Sequence, residues 1–216
     1  RIAIMLLGII AFATMAEAQV RSEQLLERGW RFTRDDSPTF SLVECDDSAW
    51  QQVTIPHDWA IYGPFSINND RQNVAITQDG QKEAMEHAGR TGGLPFVGVG
   101  WYRLKFDIAS LEDNRVTLIF DGAMSHARVY VNGHEAGYWP YGYNSFHLDV
   151  TPYVNEGSNQ LAVRLENKPE SSRWYPGAGL YRNVHLVVTN DVHIPVWGTQ
   201  ITTPEATKDY AKVVMR

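Results

Sequence analysis

The strongest constraint in this chain is a set of segments in which apolar residues recur at every second position. A period of two turns one face of a strand toward a core and leaves the other face outside. Tyr102, Leu104, Phe106 and Ile108 alternate with Arg103, Lys105 and Asp107; Val116, Leu118 and Phe120 alternate with Thr117, Ile119 and Asp121. Leu161, Val163 and Leu165 alternate with Ala162, Arg164 and Glu166, and LYRNVHLVVTN is a further β-rich run. Val129 and Val131 lead into Asn132-Gly133, the pair that best tolerates the positive φ angles of a two-residue hairpin turn, and HEAGYW reads as the returning strand. Helical signals are weak apart from a turn expected at SEQLLERG. Strands separated by turn signals, with no helices between them, predict an all-β sandwich.

Between Pro64 and Gly100 the chain is polar and glycine-containing with little periodicity, and reads as one long loop. The glycines of GRTGGLPFVGVG run into a strand rather than a helix N-terminus, so they do not form a phosphate cradle. With 216 residues there is room for one β-domain and the opening of another. The net charge of -6, without a long Lys/Arg run, argues against a nucleic-acid partner. A single cysteine, Cys45, excludes an intrachain disulfide, and the seven histidines show no metal-binding spacing, so neither a metal nor another cofactor is expected.

The N-terminal RIAIMLLGIIAFATMAEAQV has the charged, apolar, small-residue order of a secretory signal peptide. Its apolar run is too short, and too soon followed by polar sequence, for a stable membrane span. Residues 1–18 are expected to be removed, leaving a mature chain that starts near Gln19 and is secreted or periplasmic. Pro195 and TTPEATKDYAKVVMR read as a short linker and the first strands of a second domain.

Four stretches stand in an ordered series: IPHDWAIYGPF, GVGWYRLKF, the long FDGAMSHARVYVNGHEAGYWPYGYNSFHLDVTPYVNEGSNQLAVRLEN, and SRWYPGAGLYRNVHL. Together they resemble the N-terminal sugar-binding domain of glycoside hydrolase family 2, most of all its bacterial β-galactosidases. The resemblance implies a galactose-binding-domain-like jelly-roll sandwich over residues 19–191 and the start of an immunoglobulin-like domain over 192–216. It also implies a partner, the catalytic α/β-barrel of the same polypeptide, and a carbohydrate ligand of the β-galactoside type.

Enzymes of that family retain anomeric configuration through two carboxyl groups about 5 Å apart, an acid and a nucleophile, both carried by the barrel. Nothing in this chain matches the barrel. Glu166 and Glu170 are read as surface charges, and no residue here is assigned a catalytic role. The resemblance instead makes this domain a wall of the sugar pocket, which nominates Asp58, Arg173 and Trp174 as substrate-binding residues. Arg173 offers a fork of donors to hydroxyls or to a carboxylate, Trp174 a flat stacking face, and Asp58 of PHDW two acceptors for one sugar. Each has a structural counterpart: an ion pair for Arg173, a plug at the base of the sandwich for Trp174, and a turn fixed through backbone amides for Asp58. His57 and Trp59 are read as structural, and Tyr138, Trp139, Tyr141 and Tyr143 as scaffold around a hairpin. The competing functions are a free-standing carbohydrate-binding module and a family 2 β-glucuronidase or β-mannosidase.

Overall fold

The computed structural model describes residues 21–88, 96–169 and 177–216. The expected signal segment, Glu170, Arg173 and Trp174 lie outside the described residues. The strands run in chain order as β1 (Arg21–Leu25), β2 (Trp30–Thr33), β3 (Gln51–Val53), β4 (Arg71–Val74), β5 (Met85–Ala88), β6 (Gly98–Ile108) and β7 (Asn114–Phe120). They continue as β8 (Ala127–Val131), β9 (His134–Trp139), β10 (Phe146–Asp149), β11 (Gly157–Asn167), β12 (Val184–Asn190), β13 (Ile201–Ala206) and β14 (Ala211–Met215).

Two antiparallel sheets carry the core, one in the order β1-β12-β7-β10 and the other β3-β2-β6-β11-β8-β9. The inward residues are those of the alternating pattern. Tyr102, Leu104, Phe106 and Ile108 of β6, with Leu161, Val163 and Leu165 of β11, face Val116, Leu118 and Phe120 of β7 and Val184 and Leu186 of β12. This is the all-β sandwich expected from the sequence. Asn132 and Gly133 take φ of 50° and 84°, as the hairpin between β8 and β9 requires.

Two expectations are corrected. SEQLLERG supplies no helical turn: Arg21–Leu25 is a strand, paired along its whole length with β12 from Arg21↔Thr189 to Leu25↔His185. Its residues are good helix formers, but the ladder to β12 satisfies every second amide, and that tertiary pairing outweighs a weak local preference. Nor is the stretch from Pro64 to Gly100 a plain loop, because β4 and β5 pair within it from Arg71↔Ala88 to Val74↔Met85. Four-residue polar strands are too short to display a period.

The outer face of the six-stranded sheet is not simply solvated. Arg103, read as an outward polar residue, is only 1% exposed. Its guanidinium donates to the carbonyls of Phe40 (2.5 Å), Leu42 (2.9 Å) and Cys45 (3.5 Å) and pairs with Asp47 at 2.8 Å. Trp101, its neighbour on the same face, donates its indole N–H to Asp36 at 2.7 Å. The connection between β2 and β3 is thereby fastened over the sheet, one fork of donors meeting several of its carbonyls.

Candidate functional site

The chain reversals at one end of the sandwich lie side by side, and backbone hydrogen bonds join them. The amide of His57 donates to Leu180 O at 2.8 Å, and Met124 and Gly179 exchange amide-to-carbonyl bonds of 3.0 and 2.9 Å. Tyr181 donates its hydroxyl to Gly142 O at 2.7 Å, which brings the β9–β10 connection to the same end.

Asp58 stands at the centre of this arrangement. It caps the single 3₁₀ turn Trp59–Tyr62, and its Oδ1 accepts both the Ala60 amide (2.9 Å) and the Ala178 amide (3.0 Å). Among the described residues nothing donates to Oδ2. That oxygen faces Gly177, where a Cβ would stand 2.9 Å from it, so an added side chain there would press on the carboxylate. Burial pushes the Asp58 carboxyl above the usual aspartate value, against the two backbone amides that favour its ionised form. Asn167, the last residue of β11, donates its side-chain amide to Gly177 O at 2.8 Å. The two residues that flank positions 168–176 are thereby clasped together.

Beneath Asp58 lies a buried pair. His57 Nδ1 and the Tyr102 hydroxyl are 2.7 Å apart. Desolvation pulls the His57 imidazole below its ordinary value and pushes the Tyr102 phenol well above its own, favouring the neutral form of each. Gly179, at φ 107°, lies so near that a Cβ there would stand 2.5 Å from the Tyr102 oxygen and would collide with the His57 carbonyl. Trp59 is 2% exposed, stacks on Phe32 with ring centroids 5.5 Å apart, and lies over Gly100, whose missing side chain leaves space for its ring. His57 and Trp59 are both buried in packing contacts.

Around this base the surface is apolar. Ile61, Tyr62, Phe65 and Ile67 are exposed, with Tyr62 stacked on His57 at 6.0 Å. Of the four aromatics read as scaffold, Trp139 packs on Phe146, whereas Tyr138, Tyr141 and Tyr143 are exposed. Tyr138 receives the Arg128 guanidinium over its ring at 4.9 Å.

Of the residues singled out in the sequence, Asp58 falls at this end, and Arg173 and Trp174 lie outside the described residues. Glu166 is bound to Arg164 at 3.0 Å, an engagement suited to a structural charge. Tyr102, Asn167 and the Gly177–Gly179 pair were missed as site residues. Tyr102 was legible only as one more inward strand position, while the Gly-Ala-Gly spacing at 177–179 was a signal for close approach by Asp58 and Tyr102. Among the described residues the arrangement has one carboxylate oxygen with no donor, exposed aromatic and apolar flanks, and a buried base. It can accept hydroxyl hydrogen bonds and stack against a ring.

Residues 24–190 match the family model described as glycosyl hydrolases family 2, sugar binding domain. The chain is 36% identical over 200 residues to the β-galactosidase BoGH2A of Bacteroides ovatus, covering 91% of this chain and 21% of that protein. It is 25% identical over 180 residues to a β-glucuronidase of Formosa agariphila, covering 76% of this chain and 16% of that one. Among solved structures it resembles a glycosyl hydrolase family 2 member from Bacteroides cellulosilyticus, with a TM-score of 0.74 and 36% identity over 89% of this chain and 24% of that chain. The chain spans about a fifth of the length of these relatives.

Proposed function

Because the chain belongs to glycosyl hydrolase family 2, with the sugar binding domain of that family over residues 24–190, we propose that it is the N-terminal part of a retaining glycosidase that removes terminal β-galactosides. In this reading the domain contributes scaffold and one wall of the sugar pocket, and the acid and nucleophile come from a barrel further along the same polypeptide. The observation that carries it is the Asp58 carboxylate, fixed through Oδ1 by two amides while Oδ2 is left facing Gly177. A held acceptor beside exposed aromatics suits a neutral sugar, whose hydroxyls donate to the carboxylate and whose C–H face packs on rings. Arg173 and Trp174, four and three residues before Gly177, complete the same wall.

A β-glucuronidase is the second reading, supported by the likeness to the Formosa agariphila protein. A uronate carboxylate beside Asp58 would be repelled, which favours the neutral sugar. Residues 192–216, which include the exposed β13–β14 ribbon, belong in this proposal to an immunoglobulin-like domain. Residues 1–18 belong to a signal peptide that directs secretion, and N-terminal sequencing of secreted material should begin near Gln19; an intact Arg1 would count against it.

The test is Arg173→Ala in the complete enzyme. It should lower kcat/KM on an aryl β-galactoside by roughly 1.5–3 kcal/mol of transition-state stabilisation with Tm unchanged. Unchanged kinetics with a lowered Tm would make Arg173 a structural ion pair and remove it from the wall.

A further inference from the structure

The Asn132-Gly133 turn between β8 and β9 carries a reactive pair as well as a hairpin. Glycine has no Cβ to shield its amide nitrogen, and in an Asn-Gly pair that nitrogen can close a succinimide ring on the asparagine side-chain carbon. No other asparagine in the 216 residues is followed by glycine. The turn lies apart from the Asp58 end, so its chemistry does not depend on the pocket wall proposed above.

The fold engages both donors of the Asn132 side chain. Its Nδ2 donates to Tyr153 O at 2.9 Å and to Asn159 Oδ1 at 2.8 Å, and its Oδ1 accepts the Gln160 amide at 2.9 Å. The Asn132 amide adds a bond of 2.8 Å to Gln160 O. Asn159, 2% exposed, is held in turn: its Oδ1 also accepts the Asn155 amide at 2.7 Å, and its Nδ2 donates to Asn155 O at 2.8 Å and Gly157 O at 2.9 Å. These two side-chain amides tie the β8–β9 turn to the 3₁₀ turn Thr151–Tyr153 and to the reversal that enters β11. Among the described residues β9 ends its sheet with β8 as its neighbour, so the knot fixes the turn on which an edge strand depends.

We propose that Asn132 is a site of spontaneous deamidation, restrained by its bonds to Tyr153, Asn159 and Gln160 and released when the hairpin opens. The Gly133 nitrogen attacks Asn132 Cγ; a C–N bond forms, the Cγ–Nδ2 bond breaks, and Nδ2 leaves as ammonia with the proton given up by the Gly133 nitrogen. Water then adds to either carbonyl of the succinimide and yields aspartate or isoaspartate. Expelling Nδ2 forfeits both bonds that it donates, so the closed knot stabilises the reactant and slows the first step. The products cannot rebuild the knot. A carboxylate only accepts hydrogen bonds, and it would face Tyr153 O and Asn159 Oδ1, which need a donor. Isoaspartate also carries the main chain through the side-chain methylene, which lengthens the turn and strains the register of β9.

The test is peptide mapping by mass spectrometry of the complete enzyme after timed incubation in mildly alkaline buffer, folded and in denaturing guanidinium. Among the asparagines of residues 21–216, conversion should appear first at Asn132, as both aspartate and isoaspartate, and at least about tenfold faster in the unfolded chain than in the folded one. That comparison needs no variant. Asn159→Ala, which removes one acceptor of Nδ2, should raise the folded-state rate about threefold or more. Asn132→Asp, which introduces one product directly, should speed hydrogen exchange at the Gln160 amide by about tenfold. Equal rates in the folded and unfolded chains, earlier conversion at another of these asparagines, a folded Asn159→Ala enzyme with the parent rate, or unchanged exchange in Asn132→Asp would each overturn the proposal.

Discussion

Asp58 and Ala178 are 120 residues apart in sequence and 3.0 Å apart in space, the carboxylate accepting the amide through the oxygen that also accepts Ala60. Replacing Asp58 by alanine leaves both amides without their acceptor and should cost roughly 1–3 kcal/mol in urea denaturation. Asp58→Asn keeps an oxygen at Oδ1 and should lose less than about half as much. Equal losses for the two variants would mean that the charge, not the acceptor, holds the reversals together.

Asp58 and Asp36 should respond to pH with opposite signs. The hydrogen bond from Arg164, more than the opposing effect of burial, holds the Asp36 carboxyl below its ordinary value. Asp36 thus adds stability that is present above the unfolded aspartate value and is lost as pH falls through the lowered folded value. Burial raises Asp58 instead, so its contribution is most favourable in acid and declines as pH rises through the ordinary aspartate range toward the raised value. Denaturation midpoints across an acid-to-neutral series should show the penalty of Asp36→Asn shrinking toward low pH. Over the same series Asp58→Asn should gain on the parent chain as pH rises.

Arg103 should prove one of the costliest single positions. Arg103→Met removes the donors that serve Phe40, Leu42 and Cys45 and the partner of Asp47, a loss of about 1–3 kcal/mol. Hydrogen exchange provides the sharper reading. The amides of residues 40–47 should lose protection ahead of those in β6 and β11, and uniform loss across the sheet would contradict the fastening role.

Gly179→Ala places a methyl against the His57 carbonyl and the Tyr102 hydroxyl at a φ of 107°, and should destabilise by about 2–4 kcal/mol. Gly80→Ala is the control. It also has a positive φ, 78°, but nothing lies within 4 Å of the added carbon, so its cost should stay near 1 kcal/mol. Similar losses at both glycines would reduce the effect to backbone conformation alone.

The long strands were legible because β6, β7 and β11 bury one face and repeat their apolar residues at every second position. β1 was not, since its identity comes from its ladder to β12, more than 150 residues away, and its own residues favour another conformation. Trp101 and Arg103 show a related limit. Their outward register was readable, but the connection that covers them is irregular chain with no period. At the candidate site, Asp58 stood out as a carboxylate in a short aromatic motif. Its bond to Ala178 and the clasp of Asn167 on Gly177 join distant segments through single contacts, and such contacts leave no local pattern.

The paired bonds between Met124 and Gly179, with the His57 to Leu180 bond beside them, also bear on protein engineering. Reversals sewn together through main-chain atoms cannot be exchanged one at a time, because a graft that lengthens one displaces the amide or carbonyl on which its neighbour depends. Redesigning this end therefore calls for transplanting the reversals as a single cassette, or for changing side chains alone while every backbone length is kept.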